Sequence, residues 1–225
     1  MLQVKDIKKY YRLNNNVVKA VDGITYAFEP GKFYAIVGRS GSGKSTFLGL
    51  LGSLLTADEG EILLSNQNVT RLSEKQKAKF RNARIGFVFQ NFCLESQFTC
   101  FENVTLPMIP SKIGKKERNV KALDVLRQVG LEERYRHKVC ELSGGEKQRT
   151  AIARALVNNP DIILADEPTG NLDSENGHHI IEILKRIAKQ GKTVIMVTHN
   201  MEDAAEADAI LYFKDGKLME GKENA

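Results

Sequence analysis

The run "GRSGSGKST" at residues 38–46 carries the residue types that hold a polyphosphate. Gly38 and Gly43 let backbone N–H groups wrap a β-phosphate, Lys44 neutralises β/γ charge, and the Ser45 hydroxyl is a ligand for Mg²⁺. From average composition, a chance match in a chain this long is on the order of 1 in 100. A second stretch, "IILADEP" at 162–168, ends an apolar run on two carboxylates. Strand neighbours face apart, so Asp166 is expected in the shell of the Mg²⁺ and Glu167 is expected to polarise the water that attacks a γ-phosphate. His199 closes another apolar run, "VIMVTH", where an imidazole can reach that phosphate or water. Gln90 follows "RIGFVF" and is placed to touch the metal or the water while its backbone leads into the next segment.

A further anion signal stands at 140–156, "CELSGGEKQRTAIARAL", a Ser and two Gly directly before a helix-forming run. Unpaired N–H groups at a helix start and the positive end of the helix dipole both favour an anion. One chain thus holds two phosphate-type sites. Tyr11, ahead of a β-rich run, is an aromatic that usually packs but can stack on adenine. His137, His178 and His179 have no comparable setting and are expected at the surface or in packing.

The elements that must position these residues follow from periodicity. "LQVKDI", "VVKAVDGITYAFE" and "KFYAIVG" read as strands, the last running into the glycine loop and a helix from Lys44. Further strands are expected at 84–89, 161–166, 193–199 and 209–213, with "IILA" and "VIMV" apolar enough for burial on both faces of a parallel sheet. Ser73 with Gln76 and Thr99 with Glu102 have capping-box spacing, and "NVKALDVLRQVG" is helical up to Gly130. From Ser174 to Gly191, Ile180, Ile183, Leu184, Ile187 and Ala188 form one stripe. The expected organisation is a single α/β domain over 1–225, with a core of residues 1–90 and 159–225 interrupted by a helical lobe at 91–158. No repeat or low-complexity linker is visible, and the chain ends soon after the "DGK" turn at 215–217, so no appended regulatory domain is expected.

With 225 residues, 42% of them hydrophobic, the chain can bury a sizeable core, which argues against disorder. No apolar run approaches the roughly 20 residues that cross a bilayer, and the start does not read as a signal peptide. A net charge of +5 is compatible with nucleic acid, an anionic membrane surface or a polyphosphate, and does not choose among them. Lys112, Lys115, Lys116, Arg118 and Lys121 are expected to form a solvated helix face. Cys93, Cys100 and Cys140 lack zinc or redox spacing and are expected to be packing residues in a reducing compartment.

Together, Tyr11, the phosphate loop, Gln90, "LSGGE" at 142–146, "IILADEP", "NLD" at 171–173 and His199 resemble, in order and approximate spacing, the nucleotide-binding subunit of ABC transporters. The resemblance covers nearly the whole chain and is most specific at "LSGGEKQRTAIARAL". Within that family, "YYRLNNNVVKAVDGI", "ADEPTGNLDS" and "FENVTLP" look like the subclass serving lipoprotein release, macrolide export and antimicrobial-peptide transport. The resemblance implies a P-loop NTPase (RecA-like) core with an antiparallel β subdomain and an inserted α-helical subdomain. It implies ATP and Mg²⁺ as cofactors, with Tyr11, Gly38, Arg39, Ser40, Gly41, Ser42, Gly43, Lys44, Ser45 and Thr46 binding ATP. Ser45, Gln90 and Asp166 would hold the metal, and Glu167, His199, Lys44 and Gln90 would serve catalysis.

It also implies a reason for the two sites. Two copies would pack head to tail in the ATP state, Ser143, Gly144, Gly145 and Glu146 of one closing over nucleotide on the other, with Asp173 at the seam. Arg39 departs from the subclass, which commonly has Pro there, Val139 stands where Pro often precedes the signature, and "CLESQFTC" at 93–100 is less apolar than usual. The expected function is an ATPase that powers a membrane permease, an exporter of peptide, lipoprotein or antibiotic. Such an ATPase is peripheral on the cytoplasmic face of the membrane, with an extracytoplasmic adaptor as a further partner and no nucleic acid. Phe92, Phe98, Phe101, Met108 and Ile109 are expected to line the permease groove. An ATPase of a mechanotransmission complex without transport is the alternative. A nucleic-acid ATPase is the remaining reading, though the long coiled coils and fused second copy of that class are missing from the sequence.

Overall fold

The computed structural model describes residues 1–13, 16–111 and 113–220, so Lys112 of the basic cluster lies outside the described residues. The chain begins with β1 (Leu2–Leu13), β2 (Asn16–Phe28), β3 (Phe33–Val37), α1 (Lys44–Leu51), β4 (Glu59–Leu64), β5 (Gln67–Asn68), α2 (Glu74–Arg84) and β6 (Ile85–Phe89). Then come α3 (Cys100–Thr105), α4 (Lys115–Gln128), α5 (Gly144–Leu156), β7 (Ile162–Asp166), α6 (Ser174–Lys189), β8 (Thr193–Thr198), α7 (Met201–Ala205), β9 (Ala209–Lys214) and β10 (Lys217–Glu220).

Two sheets form, one of order β10-β9-β3-β8-β7-β6 and one of order β2-β1-β4-β5. The central strands of the first are parallel, and every residue of β3 and β8 is buried, which is why their sequences are continuous apolar runs. The second sheet is antiparallel. β8 shows how one strand serves two layers. Val194 and Met196 join a cluster with Leu126, Ile180 and Leu184, whereas Ile195 and Val197 join one with Phe28, Phe47 and Leu51. The first cluster runs without a break from the sheet through α6 and α5 to Val104 and Met108.

Register brings the carboxyl ends of the parallel strands level. Val37 pairs with Thr198, Asp166 with Val197, and Phe89 with Asp166. The residues that leave these strands, Gly38, His199, Glu167 and Gln90, therefore emerge along one edge of the sheet, the crevice where α/β folds place ligands.

The expected helix signals are used. The Ser73 amide donates to Gln76 Oε1 at 2.9 Å, the Glu102 amide donates to Thr99 Oγ1 at 3.1 Å, and the stripe on α6 is buried. Four elements went unread, the two-residue β5 among them. β4, "EGEILL", exposes its first two residues and so lacks a full apolar run. β10 is the return arm of the "DGK" turn, and α7 has only five residues. The cysteine expectation needs correction: Cys100 is buried, but Cys93 and Cys140 are exposed. Cys140 lies in a single 3₁₀ turn before the "LSGGE" segment, outside the apolar cluster.

Candidate functional site

The loop between β3 and α1 is held at Gly38 and Gly43 by backbone contacts that leave no room for a side chain there. Gly43 has φ 110°, and a Cβ on it would stand 2.0 Å from the Ala20 carbonyl oxygen of β2. Lys44 is 6% exposed and donates from Nζ to the carbonyls of Gly38 at 2.7 Å and Arg39 at 2.8 Å. Burial pulls its pKa below the ordinary lysine value, against the opposing pull of Glu167 and Asp166. Ser42 Oγ is buried in the same loop with no hydrogen-bond partner among the described residues. A desolvated ammonium beside an unsatisfied hydroxyl fits a ligand that is anionic and rich in acceptors. Arg39 is exposed. Tyr11 is 37% exposed on β1, opposite Val18 and close in register to the Ala20 that abuts Gly43; Lys9 Nζ lies 5.7 Å from its ring centroid.

Across the crevice, Ser45 Oγ donates to Asp166 Oδ1 at 3.3 Å. Burial raises the Asp166 pKa, the Ser45 bond opposes that, and the Glu167 charge adds to it. A hydroxyl and a carboxylate are hard oxygen donors that fit Mg²⁺. Asp166 and Glu167 do part company, but not by strand alternation. β7 ends at Asp166, and Glu167 turns into the left-handed region at φ 47° while its amide still donates to Val197 O at 2.9 Å. That turn delivers Glu167 Oε2 to within 2.8 Å of His199 Nδ1. A non-glycine residue held there is strained by about 1–3 kcal/mol, a cost characteristic of functional positions. Gln90 is half-buried against the same turn: its carbonyl accepts from Asn171 Nδ2 at 3.0 Å, and a Cβ on Gly170 would meet its Nε2 at 2.7 Å.

The second phosphate-type site is built from other elements, α5 and α6. Ser143 caps α5, its Oγ accepting from the Glu146 amide at 3.2 Å, and Glu146 Oε2 accepts from the Ser143 amide at 2.9 Å. That amide bond is the main reason the Glu146 carboxyl sits below its ordinary pKa. Glu146 Oε1 lies 3.3 Å from Arg134 Nε, so both of its oxygens are engaged inside the chain. Within the chain this carboxylate shapes the helix start. A Cβ on Gly145 would stand 2.1 Å from Asn176 Oδ1, and Asn176 in turn donates to Asp173, the cap of α6. Ser143 and Asp173 thus belong to one contiguous patch made by two helix starts. Among the described residues, the side-chain hydrogen bonds of Ser143 and Glu146 go to each other's amides and none reaches the loop at 38–46. A cleft of about 410 Å³ runs from Glu167 and His199 to Asp173, with the exposed His178 on its wall.

A second opening, about 360 Å³, lies between β6, α2 and α5, and is lined by Leu54, Phe87, Phe89, Pro107, Arg81 and Arg154 among others. Phe87 and Phe89 stack at 5.6 Å within it. It contains none of the five residues expected to line a permease groove. Met108 is fully buried in the core, Phe101 meets Tyr135 edge-on, Phe98 and Ile109 project outward, and Phe92 is half-buried in a left-handed turn. Arg81 and Arg154 escaped the sequence reading. The signal for Arg154 was a charge one turn from Thr150 and Ala151, on the otherwise buried face of α5.

Comparison with known proteins places this geometry among relatives. The family profile described as "ABC transporter" matches residues 21–170. The lipoprotein-releasing system ATP-binding protein LolD of Pseudoalteromonas translucida is 43% identical over 97% of this chain and 94% of its own length. The macrolide export ATP-binding/permease protein MacB of Hyphomonas neptunium is 40% identical over the whole chain, which spans only 35% of that longer protein. Among solved structures, the ATP-binding cassette MJ0796, dimeric in a post-hydrolysis state with ADP and Pi, superposes with a TM-score of 0.89 at 41% identity, both chains fully covered.

Proposed function

We propose the following from the premise that this chain belongs to the ABC transporter family as an ATP-hydrolysing subunit: two copies pair head to tail around two ATP and drive a membrane permease. The observation that carries the catalytic assignment is the Glu167–His199 pair at 2.8 Å, held beside the Ser45–Asp166 pair and the Lys44 loop at one sheet edge.

Tyr11 stacks on adenine. The loop at 38–46 surrounds the phosphates with N–H groups, and Lys44 exchanges its two carbonyl partners for β/γ oxygens. Ser45, Asp166 and Gln90 would hold Mg²⁺, which when bound neutralises charge on those oxygens. Glu167 accepts a proton from water as the water oxygen bonds to the γ-phosphorus, and the bond to the bridging oxygen breaks to release ADP and phosphate. His199 orients Glu167 through Nδ1, leaving Nε2 as the ring's remaining hydrogen-bonding atom. Ser143, Gly144 and Gly145 of the second copy present the start of α5 to the γ-phosphate, with Asp173 across the seam. The segment at 91–158 acts as the helical unit that carries this surface.

Relatives named for lipoprotein release and macrolide export support an exporter. Among the described residues no helix is long and apolar enough to cross a membrane, in keeping with a peripheral subunit held by its permease. The groove floored by Phe87 and Phe89 is the better candidate for the permease's cytoplasmic helix, and it still borders the expected segment through Cys93 and Pro107.

The test is Glu167→Gln. Hydrolysis should fall by about 10²–10⁴, as for loss of a general base, while ATP binding persists and size-exclusion chromatography shows a dimer only with ATP. Hydrolysis at the unsubstituted rate would overturn the assignment.

A further inference from the structure

The groove at β6 holds two cations and no anion. Its lining residues include Arg81 and Arg154 but neither Asp nor Glu, and among the described residues neither guanidinium lies within 4.0 Å of a carboxylate. Arg81 Nη1 donates to Ser53 O at 2.8 Å. Arg154 Nη2 donates to Phe92 O at 2.8 Å, and its Nη1 donates to Cys93 O. These carbonyls belong to two successive left-handed residues, Phe92 at φ 58° and Cys93 at φ 51°, so Arg154 pins a strained turn that forms one wall of the groove. Burial lowers the Arg154 pKa, against smaller opposing contributions from Cys93 and from Glu95, which lies beyond ion-pair reach. A guanidinium has five N–H donors. These bonds leave each arginine with donors to spare, beside an apolar floor of stacked Phe87 and Phe89.

Resting on the docking role just assigned to the groove, we infer that its occupant is an amphipathic permease segment whose apolar face carries an Asp or Glu side chain, received by Arg81 and Arg154. A cation in a half-desolvated cleft is costly until a carboxylate meets it, and a planar guanidinium takes a carboxylate with two parallel bonds. An apolar segment lacking the acid would desolvate both arginines without compensation. A basic segment would add repulsion. The pair of arginines therefore selects among permease partners, and apolar complementarity alone does not.

The exposed Cys93 of the groove and the exposed Cys140 outside it make the test internally controlled. The intact complex is purified from native membranes through a tag on this chain and treated with a maleimide probe. Cys93 labelling should slow severalfold relative to the isolated chain while Cys140 labelling changes little. In a complex bearing Arg81→Lys, a water-soluble carbodiimide should then join the introduced amine to an Asp or Glu of the permease, identified by mass spectrometry. Arg81→Glu should weaken retention of the permease by about tenfold or more, as for truncation of a desolvated charge pair, with ATP hydrolysis by the isolated chain unchanged. Replacing the identified acid with Lys should restore retention to Arg81→Glu. Protection of Cys93 with no carbodiimide product and undiminished retention in Arg81→Glu would overturn the charge inference and leave docking standing. Equal labelling of Cys93 in the complex and the isolated chain would overturn docking itself.

Discussion

Arg39 adds a cation to a phosphate loop that already buries Lys44, and it does so from an exposed position. In the proposed ATP site its contribution would be that of a screened surface charge, about 0.5–1 kcal/mol at low salt. Arg39→Ala should raise the Kd for ATP about two- to fivefold at low ionic strength, and titrations repeated at high salt should show the gap closing. A loss that ignores salt would mean a direct, desolvated contact. Single residues also show where sequence reasoning stopped. The loop, Asp166, Glu167 and His199 were legible because each is announced by its neighbours: glycines, an apolar strand, a strand end. The 2.8 Å Glu167–His199 pair was not, because it depends on the left-handed turn at Glu167 and on the register of β7 with β8. Exposure of Cys93 and Cys140 was equally hidden, since a free Cys is buried by habit and only the tertiary path says otherwise.

At the level of elements, the start of α5 is held by reciprocal bonds between Ser143 and Glu146, and Gly145 is pressed against Asn176 of α6. The glycine thus serves helix-to-helix packing as well as backbone access to an anion. Glu146 has its pKa depressed by the Ser143 amide, so its charge stabilises the fold above the unfolded glutamate pKa, and that stability is lost as pH falls through the lower folded value. Glu146→Gln should cost about 0.5 kcal/mol near neutral pH, the difference from the unsubstituted chain shrinking below about pH 4.5; urea melts at stepped pH would measure it. A difference that grew on acidification would contradict the sign. Capping boxes and the α6 stripe were readable because their information is local. The groove was not: Leu54, Phe87, Pro107 and Arg154 come from four parts of the chain, and Met108, taken as a lining residue, is pulled into the core by α3 to α6. β4 escaped because its half-exposed pattern resembles a polar turn.

For the whole molecule, the two phosphate-type sites are built from separate elements, one at the carboxyl edge of the parallel sheet and one at paired helix starts. If each chain contributes half of every site, damage to the two halves must complement between chains. Lys44→Ala destroys the phosphate half and leaves the α5 half intact, whereas Ser143→Arg does the reverse. Each variant alone should be inactive. In an equimolar mixture half of the dimers pair unlike chains, and each such dimer owns one site built from two undamaged halves, so activity should return to about a quarter of the unsubstituted level if the sites act independently. Steady-state phosphate release measured across mixing ratios checks this, with the maximum expected at equal amounts. No recovery at any ratio would mean that Ser143 serves the nucleotide on its own chain, or none, and the head-to-tail arrangement would fall. Because ATP bridges the halves, the recovery should also grow with chain and nucleotide concentration, a dependence that a site complete within one chain does not have.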